Sequence, residues 1–285
     1  KPENAKATIN KWIVGQVMDV QKAIDKNMEE YRFNDAAGAI YQFVWGTFCD
    51  WYLEFTKPML GEGNTDDALK QETRDTTGWV LDQILTLLNP YMPYITEELY
   101  ESIAVRPKDS LLMGQPWPTY AESLYNEDAR QEMDWVMRLI TEIRSVRSDM
   151  NVPAGAKIQM MIKDASEQTK SRIASYEEII GRMARIEKIE LTDSAPKGSI
   201  QTILDEATII LPIAEIIDLD KERERLKKEI DKLAANINRI DTKLADEKFV
   251  NNAPAEIIAE QKARREESET VMNKLSQALK QLEAA

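Results

Sequence analysis

Residues 32–60 read RFNDAAGAIYQFVWGTFCDWYLEFTKPML. Ala37, Tyr41, Val44, Phe48, Tyr52 and Phe55 recur at steps of three and four, the spacing of one face of an α-helix. The segment therefore predicts an amphipathic helix over about 34–59, ended by Pro58, Gly61 and Gly63. It carries more large rings than one buried stripe needs. Trp45 and Trp51 are expected to fill gaps between neighbouring helices. Asp50, Glu54 and Lys57 fall at i, i+4 and i+7, a stripe turned away from the apolar one. By spacing alone they form a solvated face with a Glu54–Lys57 pair contributing about 0.2–0.5 kcal/mol, though a carboxylate can also accept from a base amino group.

On the N-terminal side, Ile9, Ile13, Val17, Val20, Ile24, Met28 and Tyr31 describe a long first helix. On the C-terminal side, a third helix over about 66–88 uses Trp79, Val80, Ile84 and Leu87 and stops before Pro90. A fourth starts near Pro93 and uses Ile95, Leu99 and Ile103. Four amphipathic helices with short connections give an antiparallel bundle, and VRPKDSLLMGQPWPTY (105–120) closes it as a loop. A fifth helix over about 126–149 presents Met133, Val136, Ile140 and Ile143. The texture then changes: KIQMMIKD, IEKIELTD, IQTILDE and ATIILPI read as short strands, with a helix over 166–184.

From Leu219 the period becomes heptad, with Leu226, Ile230, Leu233, Ile237, Ile240 and Leu244 on the seam. After FVNNAPAE (249–256), Ile257, Val271, Leu275, Ala278 and Leu282 continue it in reverse. The register pairs Leu226 with Ala278, Ile230 with Leu275 and Leu233 with Val271. Toward the tip the seam softens, where Gln261, Arg264 and Ser268 face Leu244, Ile240 and Ile237. The fold class is mainly α, in three parts: an antiparallel helical bundle over 1–120, a small α+β domain over 121–217, and an antiparallel coiled-coil hairpin over 218–285.

Composition removes several functions. The 285 residues contain no histidine and one cysteine, Cys49. That excludes a disulfide framework, the usual zinc ligand sets, and Ser–His or Cys–His nucleophile pairs. The acid pairs Asp66–Asp67, Glu97–Glu98 and Glu266–Glu267 are adjacent in sequence and diverge on a helix, and no glycine-rich phosphate cradle follows a strand. No catalytic or metal constellation emerges. The N-terminus lacks an apolar signal core and there is no apolar run of about 18 residues, so a soluble, cytoplasmic chain is expected.

The formal charge of −13 disfavours general attraction to a polyanion. It is unevenly spread: residues 218–285 hold 14 Lys and Arg against 15 Asp and Glu, and the first 217 hold 23 against 35. The hairpin therefore concentrates basic side chains in an otherwise acidic protein, which points to a polyanionic partner. Arg144 and Arg147, three apart near the end of the fifth helix, are either placed for the helix dipole, at about 0.3–1 kcal/mol each, or placed to meet phosphate.

These residues carry a resemblance. Segment 32–60 resembles the anticodon-binding helix pair of bacterial valyl-tRNA synthetases, within the class I aminoacyl-tRNA synthetases. LLNPYMPYITEELYESI (87–103) and the later PWP (116–118) are similar to a signature shared by the valine, isoleucine, leucine and methionine enzymes. IRSVRSDMNVPAGAKI (143–158) and LADEKFVNNAPAEIIAEQKAR (244–264) narrow the likeness to the valine enzymes. Asn89 stands where the shared signature has His and Tyr100 where it has Trp, differences that bear on packing. The family's ATP-handling motifs, His-Ile-Gly-His and Lys-Met-Ser-Lys-Ser, do not occur here.

The resemblance implies the C-terminal third of a longer enzyme, inactive alone, with no cofactor of its own; ATP with Mg2+ would serve the parent. It implies valine-specific tRNA as partner, with no membrane and no DNA, and a monomer. The bundle would meet the anticodon loop through Asn34, Asp50, Trp51, Glu54 and Lys57. Arg144 and Arg147 would meet RNA backbone, and Arg225, Lys232, Arg239, Lys243, Lys248, Arg264 and Arg265 would meet the outer corner of the tRNA. The rival reading is a non-catalytic interaction or dimerisation module whose soft tip seam opens to a partner helix.

Overall fold

The computed structural model describes residues 2–107 and 110–284, apart from the side chains at 247, 248, 252 and 284. The chain divides into two compact units, Lys1–Met137 and Arg138–Ala285.

The first unit is helical. α1 (Thr8–Glu29) buries Ile9, Trp12, Ile13, Val17, Val20 and Ile24. Met28 and Tyr31, the last members of the expected stripe, are exposed instead. The segment 32–60 is one continuous rod with a change of winding: α2 (Phe33–Gln42), a π-helical stretch (Phe43–Tyr52) and α3 (Leu53–Leu60). Its buried apolar residues are Ala36, Ile40, Phe43, Phe48, Tyr52, Phe55 and Met59, with Thr56 also buried. The second half of the stripe is as the sequence predicts, but the first half is shifted from Ala37, Tyr41 and Val44 by one residue. The wider π winding takes up the five-residue step from Phe43 to Phe48, which constant α periodicity does not anticipate.

α4 (Asp67–Leu88) starts at Asp66, whose carboxylate accepts from Leu69 N at 2.9 Å. α5 (Pro93–Ser102) departs from expectation: Ile95, Leu99 and Ile103 are exposed, while Thr96 and Tyr100 are buried. Tyr100 lies in a small cluster with Leu85 and Leu112, under the Arg106 guanidinium at 3.9 Å from its ring centroid. Arg106 is held in turn by Asp82. Asn89 Nδ2 donates to Thr96 Oγ1 at 3.0 Å, so both residues that differ from the family signature serve packing.

A buried polar knot joins three helices of this unit. Tyr52 Oη donates to Asn10 Oδ1 at 3.0 Å and lies 3.2 Å from Thr77 Oγ1. Asn10 Nδ2 donates to Glu72 Oε1 at 2.9 Å and to Thr73 Oγ1 at 3.2 Å. Glu72 Oε1 also accepts from Lys6 N and Ala7 N, both at 2.9 Å, tying down the entry to α1. Burial pushes the Tyr52 phenol well above its ordinary value, which keeps it a donor at any physiological pH.

α6 (Glu127–Asp149) leads into the second unit. There β1 (Ile158–Lys163), α7 (Glu167–Ala184), β2 (Ile186–Leu191), β3 (Ser199–Leu204) and β4 (Ala207–Pro212) form a four-stranded sheet of order β2-β1-β4-β3. β1 and β2 are parallel across α7, and the other pairs are antiparallel. The strands and the helix fall where the sequence places them. Arg138 clamps the β3–β4 turn with two bonds to Asp205, at 2.7 and 2.8 Å.

α8 (Leu219–Ala245), the short α9 (Glu247–Asn252) and α10 (Ala255–Ala284) make the hairpin, with the long arms packed along each other. At 1.5 Å per residue the arms run roughly 40 Å. Leu226, Ile240, Ala278 and Leu282 are buried. The predicted register holds: Asn236 Nδ2 donates to Ser268 Oγ at 3.3 Å and Arg265 Nε to Asp241 Oδ1 at 2.6 Å. Polar pairs thus join the arms in the tip half, beside the buried Ile240.

Two predictions concern stability. Tyr52→Phe removes the donor to buried Asn10 and should lower unfolding free energy by about 1–3 kcal/mol, read as a shifted midpoint in urea followed by tryptophan fluorescence. Glu206 accepts from Ser166 N at 3.2 Å and from Thr169 Oγ1 at 2.6 Å at the start of α7, and these hydrogen bonds hold its carboxyl down to about 2. Because the folded value is depressed, its contribution is complete above the ordinary carboxyl range near 4.5 and is lost as pH falls toward the folded value. Stability measured from about pH 6 down to about pH 2 should fall less steeply in Glu206→Gln than in the parent.

Candidate nucleic-acid interface

At one end of the bundle, α1 stops because Tyr31 takes a left-handed backbone (φ 58°), a C-terminal conformation that glycine usually supplies. Arg32 N donates to Asn27 O at 2.8 Å, completing the cap. The turn brings Tyr31 and Phe33 edge to face with centroids 6.3 Å apart. From the α4–α5 connection, Tyr91 Oη reaches Met28 Sδ and Phe33 O, each at 3.4 Å. Tyr31 is 81% exposed, Phe33 51% and Tyr94 90%. Here the bundle offers open ring faces in place of polar caps. Asn34 belongs to this end, exposed, with its Nδ2 on Asp35 Oδ1 at 2.9 Å.

The other four residues expected at the anticodon loop lie elsewhere on the rod. Asp50 is exposed, and Trp51 is half-buried against Phe55, with ring centroids 5.6 Å apart. Glu54 and Lys57 are paired with each other. About sixteen residues along a helix separate Asn34 from Asp50, on the order of 20 Å, so the five do not form one cluster. Between them Tyr41 of α2 and Trp45 of the π-helical stretch are exposed. Sequence reasoning misses Tyr31, Phe33, Tyr91 and Tyr94 as members of this surface. The signal for the first two is the aromatic run just ahead of a helix start, YRFN (31–34), which helical periodicity draws into the core.

In the second unit the expected cations separate into held and free. Arg147, expected to meet RNA backbone, is only 8% exposed, and its Nη2 donates to the carbonyls of Pro153 at 3.1 Å and Ala156 at 2.8 Å. It fastens the loop after α6 and is not open to a phosphate outside. Arg144 Nε donates to Met183 O at 3.0 Å. Arg225 lies between Glu222 and Glu229 and also donates to Asp149 O at 3.2 Å; those carboxylates, Glu222 first, raise its pKa. It anchors the base of α8. Arg265 is held by Asp241 and Glu269, which likewise raise its pKa. Among the described residues, Arg264 makes only a long contact with Glu260, at 3.9 Å.

Lys232, Arg239 and Lys243 are exposed and make no ion pair among the described residues. At i, i+7 and i+11 they lie on one face of α8, a row of roughly 16 Å. The Lys248 side chain falls outside the described residues. Among the described residues no group of three His, Cys, Asp or Glu could hold a metal, and no helix is long and apolar enough to cross a membrane.

Two family models match the chain. Residues 10–162 match the family model described as the anticodon-binding domain of tRNA ligase. Residues 218–283 match that of the valyl tRNA synthetase tRNA binding arm. The chain is 45% identical over 267 residues to a valine–tRNA ligase of Brucella suis, covering 93% of this chain and 29% of the relative. It is 40% identical over 285 residues to that of Bartonella henselae, covering 99% and 31%, and 41% identical over 287 residues to that of Rhizobium meliloti, covering 100% and 30%. The chain spans about three tenths of the length of the curated relatives it matches.

Proposed function

We propose that this chain, which belongs to the valyl-tRNA synthetase family, is a tRNA-gripping portion that makes two kinds of contact with valine tRNA. The helical bundle takes the anticodon loop, and the coiled-coil arm takes the outer corner through phosphate contacts. Attachment of valine, with its ATP and Mg2+, belongs on this reading to the rest of the longer enzymes, and the chain acts as a cytoplasmic monomer without a cofactor.

The observation that carries the reading is the pairing of two unlike surfaces. One is a set of open aromatic rings at a helix turn; the other is a row of unpaired cations on a rod. Unstacked loop bases are recognised by stacking on aromatic faces and by hydrogen bonds along their edges, and each stack contributes about 1–3 kcal/mol. Phe33 and Tyr31 supply faces, and Asn34 beside them supplies both a donor and an acceptor. Asp50, Trp51, Glu54 and Lys57 remain a second candidate surface farther along the rod. On the arm, Lys232, Arg239 and Lys243 make no ion pair among the described residues and are the candidates to meet phosphate, with Arg264, whose contact with Glu260 is 3.9 Å, as a fourth. Arg144, Arg225 and Arg265 contribute by holding their elements in place.

A titration of the chain against valine tRNA and one non-cognate tRNA, at several salt concentrations, tests this. Lys232→Ala, Arg239→Ala and Lys243→Ala combined should flatten the log–log salt slope by about 0.7–0.9 for each phosphate no longer neutralised; an unchanged slope removes the arm from the interface. Phe33→Ala should cost about 1–3 kcal/mol of affinity with the slope preserved. If it binds as tightly as the parent, the aromatic end is not the reading surface.

A further inference from the structure

The small sheet of the second unit carries a cleft that neither surface uses. It lies between the end of α7 and β2, the edge strand, with a volume of about 440 Å³. Lys157, Gly181, Arg182, Arg185 and Lys188 line it, with Glu177, Glu178 and Glu187 at the same cleft. Arg185 closes α7 in the left-handed region (φ 57°), a strained backbone for a residue with a side chain. Its carbonyl accepts from Ile158 N at 3.1 Å, which fixes the cap against the start of β1. Gly181 keeps the wall close, since a Cβ there would sit 3.2 Å from Ile186 O.

The charges are unbalanced in a specific way. Lys188 is paired with Glu190, but Lys157, Arg182 and Arg185 make no ion pair among the described residues. Behind the loop that ends at Lys157 sits Arg147, more than nine-tenths buried, and its Nη1 has no hydrogen-bond partner. Burial lowers the Arg147 pKa, and the like charge of Arg185 adds to the effect. Arg182 and Arg185, both exposed at the cleft and without a carboxylate partner among the described residues, are matched by an anion with several acceptor oxygens, and the charge of Arg147 behind them adds to the attraction. With Glu177, Glu178 and Glu187 offsetting part of the charge of Lys157, Arg182, Arg185 and Lys188, the positive excess is small and matches one phosphate group rather than an extended track.

We propose that this cleft binds a single backbone phosphate of the bound tRNA, a third contact distinct from the anticodon end and the arm, and one that rests on the tRNA-binding reading. Arg185 and Arg182 reach the phosphate directly, Lys157 flanks it, and Arg147 stabilises the site from behind.

The test uses the full chain and the double variant Arg182→Ala/Arg185→Ala, with circular dichroism to show that the variant is folded. Titration with valine tRNA across a salt series should give a log–log slope lower by about 0.7–0.9 than the parent's, and affinity several-fold weaker near physiological salt. Lys170→Ala, paired with Glu167 at the start of α7 and outside the cleft lining, should leave the slope unchanged. A double variant with the parent's slope and affinity overturns the inference while leaving the arm and anticodon contacts standing. A parent chain that shows no salt-dependent tRNA binding overturns the underlying reading, and this inference with it. Inorganic phosphate titrated into the RNA-free chain, followed by phosphorus NMR, separates the sources. Phosphate that binds the parent and not the variant, with both giving the same tRNA slope, marks a small-anion site and overturns the RNA assignment.

Discussion

The first unit depends on the five-residue step between Phe43 and Phe48. At about 100° per residue, an unbroken α-helix would turn Phe48 roughly 140° away from Phe43. Ala36, Ile40 and Phe43 would then face one way and Phe48, Tyr52 and Phe55 another. The π-helical stretch absorbs the extra residue, and both sets reach the same core. π winding is rare because its backbone packing is poorer, so something must hold it. The polar knot is one restraint: Tyr52, the last residue of the stretch, is bonded to Asn10 and through it to Glu72 and Thr73. Ring packing is the other, with Phe48 stacked on Tyr52 and Trp12 edge-on to Phe55, each pair at 5.8 Å. The same re-phasing leaves Asn34, Tyr41 and Trp45 on the outside of the rod.

An acidic protein can hold a polyanion when its local charges are arranged for it. At physiological salt the screening length is about 8 Å, so carboxylates much farther than that from a given cation matter little to an anion it meets. What matters is whether a cation already has a partner within a few ångströms. Arg225 and Arg265 are claimed by carboxylates of their own or the facing arm, while Lys232, Arg239 and Lys243 are not. Counting basic residues therefore overstates the available charge. The relevant quantity is the number left unpaired on one face.

Most of the fold is legible because its period is written in the apolar residues. The hairpin register follows from matching Leu226 with Ala278 and Leu233 with Val271, and the four strands from short β-branched runs. The failures have physical causes. A π insertion has no composition signature, so a constant α period misphases the stripe of α2 by one residue. In α5 the sequence presents Ile95, Leu99 and Ile103 at helical spacing, yet Tyr100 is the buried residue, because Arg106 and Leu112 arrive from later in the chain to cover it. Arg147 reads as a surface cation since nothing local shows that the loop at 150–156 folds back over it. Site residues are harder still, for exposure and pairing are set by neighbours distant in sequence.

Tyr31 shows how an exposed aromatic can carry meaning that a scattered surface residue does not. Its left-handed backbone costs of order 1–3 kcal/mol, which glycine at that cap would avoid. The side chain contributes little to the core, being mostly solvent-exposed. Stability alone therefore argues for a smaller residue there. What the tyrosine adds is a ring edge-on to Phe33 at a tight turn, with both rings open to solvent. Rigid faces of this kind bind a flat partner with little loss of side-chain entropy, since the ordering cost has been met in folding. An unstacked base is such a partner, and the strain at Tyr31 is accounted for if the ring's work lies outside the protein.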